Sequence, residues 1–159
     1  MSQATADLYD AHGEALRIPA PIFRDFGGNL VFEGEVVTVK VFEDNSLVRS
    51  LLEEPGLNRV LVVDGGGSLR CALVGDQLAE LGVKNGWTGI VVYGCIRDSG
   101  ALSGLPIGVK AIASNPRKSV KKGEGARDVT LRFAEVTVAP GDYLYADGDG
   151  IAIADHQLG

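Results

Sequence analysis

Residues 59–98 read RVLVVDGGGSLRCALVGDQLAELGVKNGWTGIVVYGCIRD, and this stretch decides the fold class. Arg59 to Val63 is an aliphatic, β-branched run with the length of a buried strand, and Asp64-Gly65-Gly66-Gly67 turns the chain after it. A helix begins near Asp76, sets Leu78 and Leu81 on one face, and ends at Asn85-Gly86. Thr88 to Tyr93 is a second strand, running into Gly94-Cys95-Ile96-Arg97-Asp98. A strand, a helix and a second strand of these lengths form a crossover unit, which predicts parallel strands. Both loops that follow the strands then open at one end of the sheet, where open α/β folds bind ligands.

On the N-terminal side, Ala6 to Ala15 predicts a short helix with Thr5 as its cap, and Gly27-Gly28 interrupts the chain. Val31 to Phe42, with Val37, Val39 and Val41 alternating, predicts one or two strands, and Asn45 is placed to cap a helix over Ser46 to Glu54 that Pro55 stops. On the C-terminal side, Pro106 to Ala113 reads as a strand, and Ser114 to Arg127 as a basic, glycine-punctuated, mobile loop. Val129 to Val138 alternates as strand split near Ala134; Tyr143 to Ala146 and Ile151 to Ala154 are two more strands around a tight Asp147-Gly148-Asp149-Gly150 loop. The class is α/β, β-rich at both ends, in a single domain over 1–159.

The 159 residues are 45% hydrophobic and 23% charged, enough to bury a core. The net charge of −6 argues against nucleic acid as a direct partner, because duplex binding needs a basic face. The one basic run, Arg117, Lys118, Lys121 and Lys122, reads as a solvated loop. Cys71 and Cys95 are too few for a disulfide scaffold and read as reduced thiols; with His12 and His156 near the ends, no zinc pattern exists. The start MSQATADLYD has no basic and apolar leader, and the run Val60 to Val63 is far short of a membrane span. A cytoplasmic protein is expected.

Three glycine motifs are weighed. Gly65-Gly66-Gly67 follows a strand as a dinucleotide fingerprint does, but Arg70 stands where the third glycine belongs, and no Gly-Lys-Ser/Thr follows for a P-loop. The same loop has an acidic, glycine-rich look shared with methyl-donor enzymes, yet too little chain follows it. A turn between closely packed backbones is the alternative. Asp147-Gly-Asp-Gly lacks the remaining ligands of a calcium loop and reads as a hairpin turn.

The informative constellation is Gly75-Asp76-Gln77-Leu78 with Arg97-Asp98. Asp76 opens a helix, whose first N–H groups and dipole suit a small anion. Arg97 has the planar fork for a carboxylate, and Asp98 is a hard oxygen ligand for a cation completed by water. By spacing alone, the stronger reading is Asp76 as a helix cap and Arg97–Asp98 as a surface ion pair.

Longer stretches then bear on the choice. Residues 24–45 (RDFGGNLVFEGEVVTVKVFEDN), 60–82 (VLVVDGGGSLRCALVGDQLAELG) and 85–98 (NGWTGIVVYGCIRD), with NPRKS from 115 and GDYLYADGDGI from 141, resemble the ribonuclease-regulator A / class II pyruvate-aldolase family. The resemblance implies a swivelling β/β/α domain like the phosphohistidine domain, assembled as a homotrimer with its site between subunits. It implies one of two activities. One is a metal-dependent lyase that cleaves 4-hydroxy-4-methyl-2-oxoglutarate and related oxo-acids, or decarboxylates oxaloacetate, through a metal-stabilised pyruvate enolate. The other is a non-catalytic regulator that binds and inhibits endoribonuclease E. Older family names include a menaquinone methyltransferase, which the incomplete methyl-donor motif argues against.

The family's aldolases carry an Asp, twenty residues and Arg-Asp, matched here by Asp76, Arg97 and Asp98. Carried over, Arg97 and the backbone of Gly75, Asp76, Gln77 and Leu78 hold the pyruvyl group, Asp98 ligates Mg²⁺ or Mn²⁺, and Asp76 orients a proton-carrying water. Longer aldolases in the family extend past the last strand and lend an acidic residue to a neighbour. Here Gly159 follows soon after Ile153, which favours oxaloacetate decarboxylation, the less demanding reaction.

Overall fold

The computed structural model describes residues 4–158. Residues 1–3 and 159, the two ends of the domain expected over 1–159, lie outside the described residues, and so do the first three residues of the start in which no leader is expected. The centre is parallel sheet: β2 (Phe32–Lys40), β3 (Val60–Asp64), β5 (Gly89–Ile96) and β6 (Gly108–Ser114) pair in the order β6-β5-β3-β2. The short strand β1 (Arg24–Asp25) adds antiparallel to β6 at one edge. At the other edge β2 pairs antiparallel with β10 (Tyr143–Asp147), which turns back as β11 (Gly150–Ala154). The parallel pairing of β3 with β5 is the crossover expected from residues 59–98, with Val60 opposite Gly89 and Asp64 opposite Tyr93.

Both faces of the sheet are covered, which explains why Val60 to Val63 is uninterrupted aliphatic sequence and wholly buried. Successive side chains alternate faces. Leu61 and Val63 join a core under α2 (Ser46–Leu52), α3 (Asp76–Lys84) and α4 (Ser99–Leu102), with Leu51, Leu52, Leu78 and Leu102. Val60 and Val62 face Leu144, Ile151 and Ile153 and a small hairpin of β8 (Leu131–Phe133) and β9 (Val136–Val138). The result is a helical layer, a sheet and a β layer, the β/β/α arrangement. Phe32 explains two of the glycines: its ring lies across Gly89 and Gly108, paired neighbours on β5 and β6, where a Cβ would overlap it.

Several local expectations change. The first helix is α1 (Thr5–His12), followed by one 3₁₀ turn (Gly13–Ala15), and Thr5 does not cap it. Instead the Thr5 N–H and hydroxyl donate to the Asp147 carboxylate at 2.8 and 2.7 Å, so the β10–β11 turn receives the helix start. Asn45 makes no cap bond either; Asp44 accepts the Ser46 N–H at 2.9 Å, and the Asn45 amide donates to the Leu73 carbonyl. The helix ends at Leu52, short of Glu54. Elements not expected from the sequence include β1, β4 (Ala72–Val74), which is parallel to β5, and α4.

The basic segment is also more ordered than its glycines suggest. It is bridged to Ala72 at Lys118 and to Asp44 at Val120, and closes as β7 (Ala126–Arg127) against β2. The glycine turn after β3 is a packing device: a Cβ on Gly65 would strike Leu73, and one on Gly67 the Tyr93 ring. Cys71 and Cys95 are buried free thiols, and burial pushes both up from the usual thiol range. Among the described residues no helix is long and apolar enough to cross a membrane.

Candidate active site

Two strand ends lie side by side and carry the residues singled out in the sequence. β4 runs through Gly75 into α3, and β5 runs through Arg97 and Asp98 into α4. Ala72 and Val74 pair with Cys95 and Ile96, and the Arg97 N–H donates to the Val74 carbonyl at 2.9 Å. The twenty residues between Asp76 and Arg97 are therefore one helix and one returning strand, and their length brings both ends to the same place.

Asp98 adopts a left-handed conformation with φ of 57°, which Asp tolerates better than most residues. That turn sends the backbone into α4, where the Leu102 N–H donates to the Asp98 carbonyl. It also brings Asp98 Oδ2 to 3.1 Å from the Asp76 backbone nitrogen, so Asp98 satisfies the first orphan donor of α3. Gly75 allows this approach. A Cβ there would stand 2.6 Å from Asp98 Oδ2 and 3.2 Å from Arg97 Cγ.

These residues border a cavity of about 430 Å³. Asp76, Gln77, Arg97 and Asp98 line it, and so do Arg49 from α2 and Lys118, Ser119 and Lys121 from the basic segment. Four cationic side chains against two carboxylates make it an anion-accepting place in a chain of net charge −6. Arg97 is held loosely: Nη1 donates to the Pro116 carbonyl at 3.3 Å, and Nε is 3.9 Å from Asp98 Oδ2. With side chains 42% and 37% exposed, that pair adds only about 0–1 kcal/mol to stability, so its placement is not explained by stability.

The expected anion cradle needs one correction. Of the amides after Gly75, that of Asp76 is engaged by Asp98, which leaves the N–H groups of Gln77 and Leu78 as the donors of the first turn. The Leu78 side chain is buried in the core, so only its backbone can serve a ligand. Lys118, Lys121 and Arg49 were not singled out as site residues. The one signal for the two lysines was the basic run itself, together with NPRKS at 115, and nothing in the sequence marked Arg49.

Among the described residues no cluster of three or more His, Cys, Asp or Glu gathers around a common point. A hard divalent cation of the Mg²⁺ type keeps most of its water and takes only one or two carboxylates, and the carboxylates bordering the cavity are Asp76 and Asp98.

A larger cavity, about 600 Å³, opens between α1 and the β10–β11 turn. It is lined mainly by apolar side chains such as Tyr9, Ile18 and Phe23, and its one ammonium, Lys110, is tied to Asp25 at 3.0 Å and to the Asp147 carbonyl at 2.9 Å. The smaller cavity carries the convergent cationic side chains and is the better candidate.

Known proteins share this fold and these lengths. The family model described as RraA-like, Aldolase/RraA, matches residues 5–153. A protein of Alkalilimnicola ehrlichii is 61% identical over 158 residues, covering 99% of this chain and 98% of its own, and one of Laribacter hongkongensis is 60% identical over 99% of each. Both are provisionally named 4-hydroxy-4-methyl-2-oxoglutarate aldolase. Among solved structures, the RNA-processing inhibitor RraA of Thermus thermophilus superposes with a TM-score of 0.96 at 46% identity, over 100% of this chain and 96% of that one. A Geobacillus kaustophilus structure described as an S-adenosylmethionine:2-dimethylmenaquinone methyltransferase gives 0.94 at 49% identity, over 98% and 97%.

Proposed function

The chain belongs to the RraA-like Aldolase/RraA family, and from that premise we propose that it is a class II lyase that releases pyruvate from 4-hydroxy-4-methyl-2-oxoglutarate-type oxo-acids and from oxaloacetate. The observation that carries this reading is the convergence of Asp76, Arg97 and Asp98 at one rim of a cation-rich cavity. The methyl-transfer name of the Geobacillus relative finds less support, since the glycine turn is filled by Leu73 and Tyr93.

In this reading the Arg97 fork takes the carboxylate and keto oxygen of the substrate, helped by the N–H groups of Gln77 and Leu78. In the aldol cleavage a proton leaves the C4 hydroxyl, the C3–C4 bond breaks, and its electron pair moves into a C2–C3 enolate. In decarboxylation the bond to the departing carboxylate breaks instead, and CO₂ leaves behind the same enolate. Arg97 stands where negative charge grows on the enolate oxygen, a charge that preorganised donors stabilise better than water does. Asp76 holds a water that accepts the hydroxyl proton and returns one to C3, which completes pyruvate. Mg²⁺ or Mn²⁺ held by Asp98 would supply Lewis-acid charge beside that oxygen. The protein acts in the cytoplasm as a homotrimer, with a neighbouring copy closing the open side of the cavity.

The test is pyruvate release from oxaloacetate and from 4-hydroxy-4-methyl-2-oxoglutarate, with Mg²⁺ and with a chelator. A metal-dependent rate well above that of the ion alone is expected; no protein-dependent rate would overturn the proposal.

A second reading, inhibition of endoribonuclease E, draws on the likeness to the Thermus inhibitor and on the net charge of −6. An acidic protein attracts basic partner segments, most strongly at low salt. Failure to retain the endoribonuclease's basic region at low ionic strength would remove it.

A further inference from the structure

The cationic wall of the cavity is not a free loop. Residues 117–124 are stitched at both ends. At the inner end the Ala72 N–H donates to the Arg117 carbonyl at 2.7 Å. At the outer end the Val120 N–H donates to the Glu43 carbonyl at 3.0 Å, and the Gly123 N–H to the Ser46 hydroxyl at 3.0 Å. The centre of the outer attachment is Asp44, 1% exposed. Its Oδ1 accepts the Ser46 N–H at 2.9 Å and hydroxyl at 2.7 Å, and its Oδ2 accepts the N–H groups of Lys122 at 2.9 Å and Glu124 at 3.2 Å.

Among the described residues no Lys or Arg forms an ion pair with Asp44, so backbone and hydroxyl donors alone hold a buried carboxylate. Such an arrangement needs a residue with acceptors on both oxygens. Between the two attachments lie Lys118, Ser119 and Lys121, which line the cavity. Two polar atoms of the lining residues, Ser119 Oγ and Asn45 Oδ1, are buried with no protein partner, and unpaired buried polar atoms are uncommon away from functional places.

We propose that Asp44 is a positioning residue: by holding the N–H groups of Lys122 and Glu124 it presents Lys118 and Lys121 to the cavity that Arg97 and Asp98 also line, and so sets the affinity for an anionic substrate. This rests on the lyase reading in one respect, that the cavity takes a small oxo-acid anion. Asn at this position keeps the shape but turns an NH₂ group towards donors, so it releases one end of the wall.

The experiment is calorimetric titration of oxalate, a planar dianion resembling the pyruvate enolate, with Mg²⁺ present. Four proteins are compared: the native chain, Asp44→Asn, the pair Lys118→Ala with Lys121→Ala, and all three changes together. Asp44→Asn is expected to weaken oxalate about tenfold, the loss of one charge-assisted contact, and to raise KM for oxaloacetate with kcat within about twofold. In the lysine-free background the same change adds nothing, because its effect passes through those lysines. Ser46→Ala, a milder cut of the same network, reports the coupling should Asp44→Asn not fold. Equal affinities, or a loss that persists undiminished without the lysines, overturns the role of Asp44 alone. No binding by the native chain overturns the lyase reading and this inference with it.

Discussion

Asp98 accepts the backbone N–H of Asp76 at 3.1 Å, so the two acidic residues of the site are joined through the start of α3. The bond orients the Asp98 carboxylate in advance, and it removes the Asp76 amide from the donors open to a substrate. It also separates the roles of neighbouring residues. Arg97, held only by a long bond to the Pro116 carbonyl and a 3.9 Å approach to Asp98, remains available for an anion, while one Asp98 oxygen is already committed.

Arg97 and Asp98 should therefore fail differently. Asp98→Ala removes the carboxylate proposed to hold the cation, so activity should fall and the metal concentration needed for half-maximal rate should rise steeply. Arg97→Lys keeps the charge and loses the fork, so the metal requirement stays while kcat/KM falls about 10- to 150-fold, the worth of one charge-assisted hydrogen bond. Metal titrations of initial rate, with melting curves alongside, separate the two. Silence in both variants would leave the pair as an exposed salt bridge.

Gly75→Ala tests the close approach directly. The new methyl would stand 2.6 Å from Asp98 Oδ2, a side-chain end that can swing away, and the Gly75 φ of −130° is ordinary for Ala. Tm should fall by no more than a few degrees, corresponding to about 1 kcal/mol. Activity should drop at least tenfold as Asp98 leaves the Asp76 N–H. A variant with native turnover would show that this approach is not needed.

Asp44 predicts a pH dependence of stability. Burial pushes its carboxyl up, but the bonds from Ser46, Glu124 and Lys122 outweigh burial and bring it from 3.8 down to about 2. Since the folded value is the lower one, the contribution is fully present above about pH 4 and is lost as the pH falls towards 2, and it amounts to about 2 kcal/mol. Urea unfolding should show native protein ahead of Asp44→Asn by about that amount at pH 6, with the gap narrowing to about half at pH 3. A gap that does not change with pH would contradict the assignment.

Assembly is checked by light scattering at micromolar concentration. A trimer scatters as about three times the 16.7 kDa chain, and a single-chain mass would contradict the proposed closure by a neighbour. Exposed Ile18, Ile22, Leu30 and Val31 supply apolar surface for such contacts.

The crossover unit at 59–98 was legible because its information is local. Four aliphatic residues in a row, a helical face of Leu78 and Leu81, and glycines at the turns each act within a few positions. Two parallel strands joined by a helix of that length can close in few ways, so the proximity of Asp76 to Arg97 and Asp98 followed. The three-residue β4 left no such trace, being too short to show alternation, and it forms where β5 runs on past the end of β3, beside Cys95 and Ile96.

The caps show the same limit. Asn45 and Thr5 stand where caps stand, yet Asp44 accepts the Ser46 N–H and Asp147 receives Thr5 from 142 positions away. The basic run is the clearest case. As sequence, Arg117 to Lys122 is a run of charge followed by Gly123 and Gly125, and it reads as solvated chain. Bonds to the buried Asp44 carboxylate, to Glu43 and Ser46, and from Ala72 make it a wall of the cavity. A hydrogen bond between residues 78 apart depends on where the sheet puts both ends, and no local pattern encodes that.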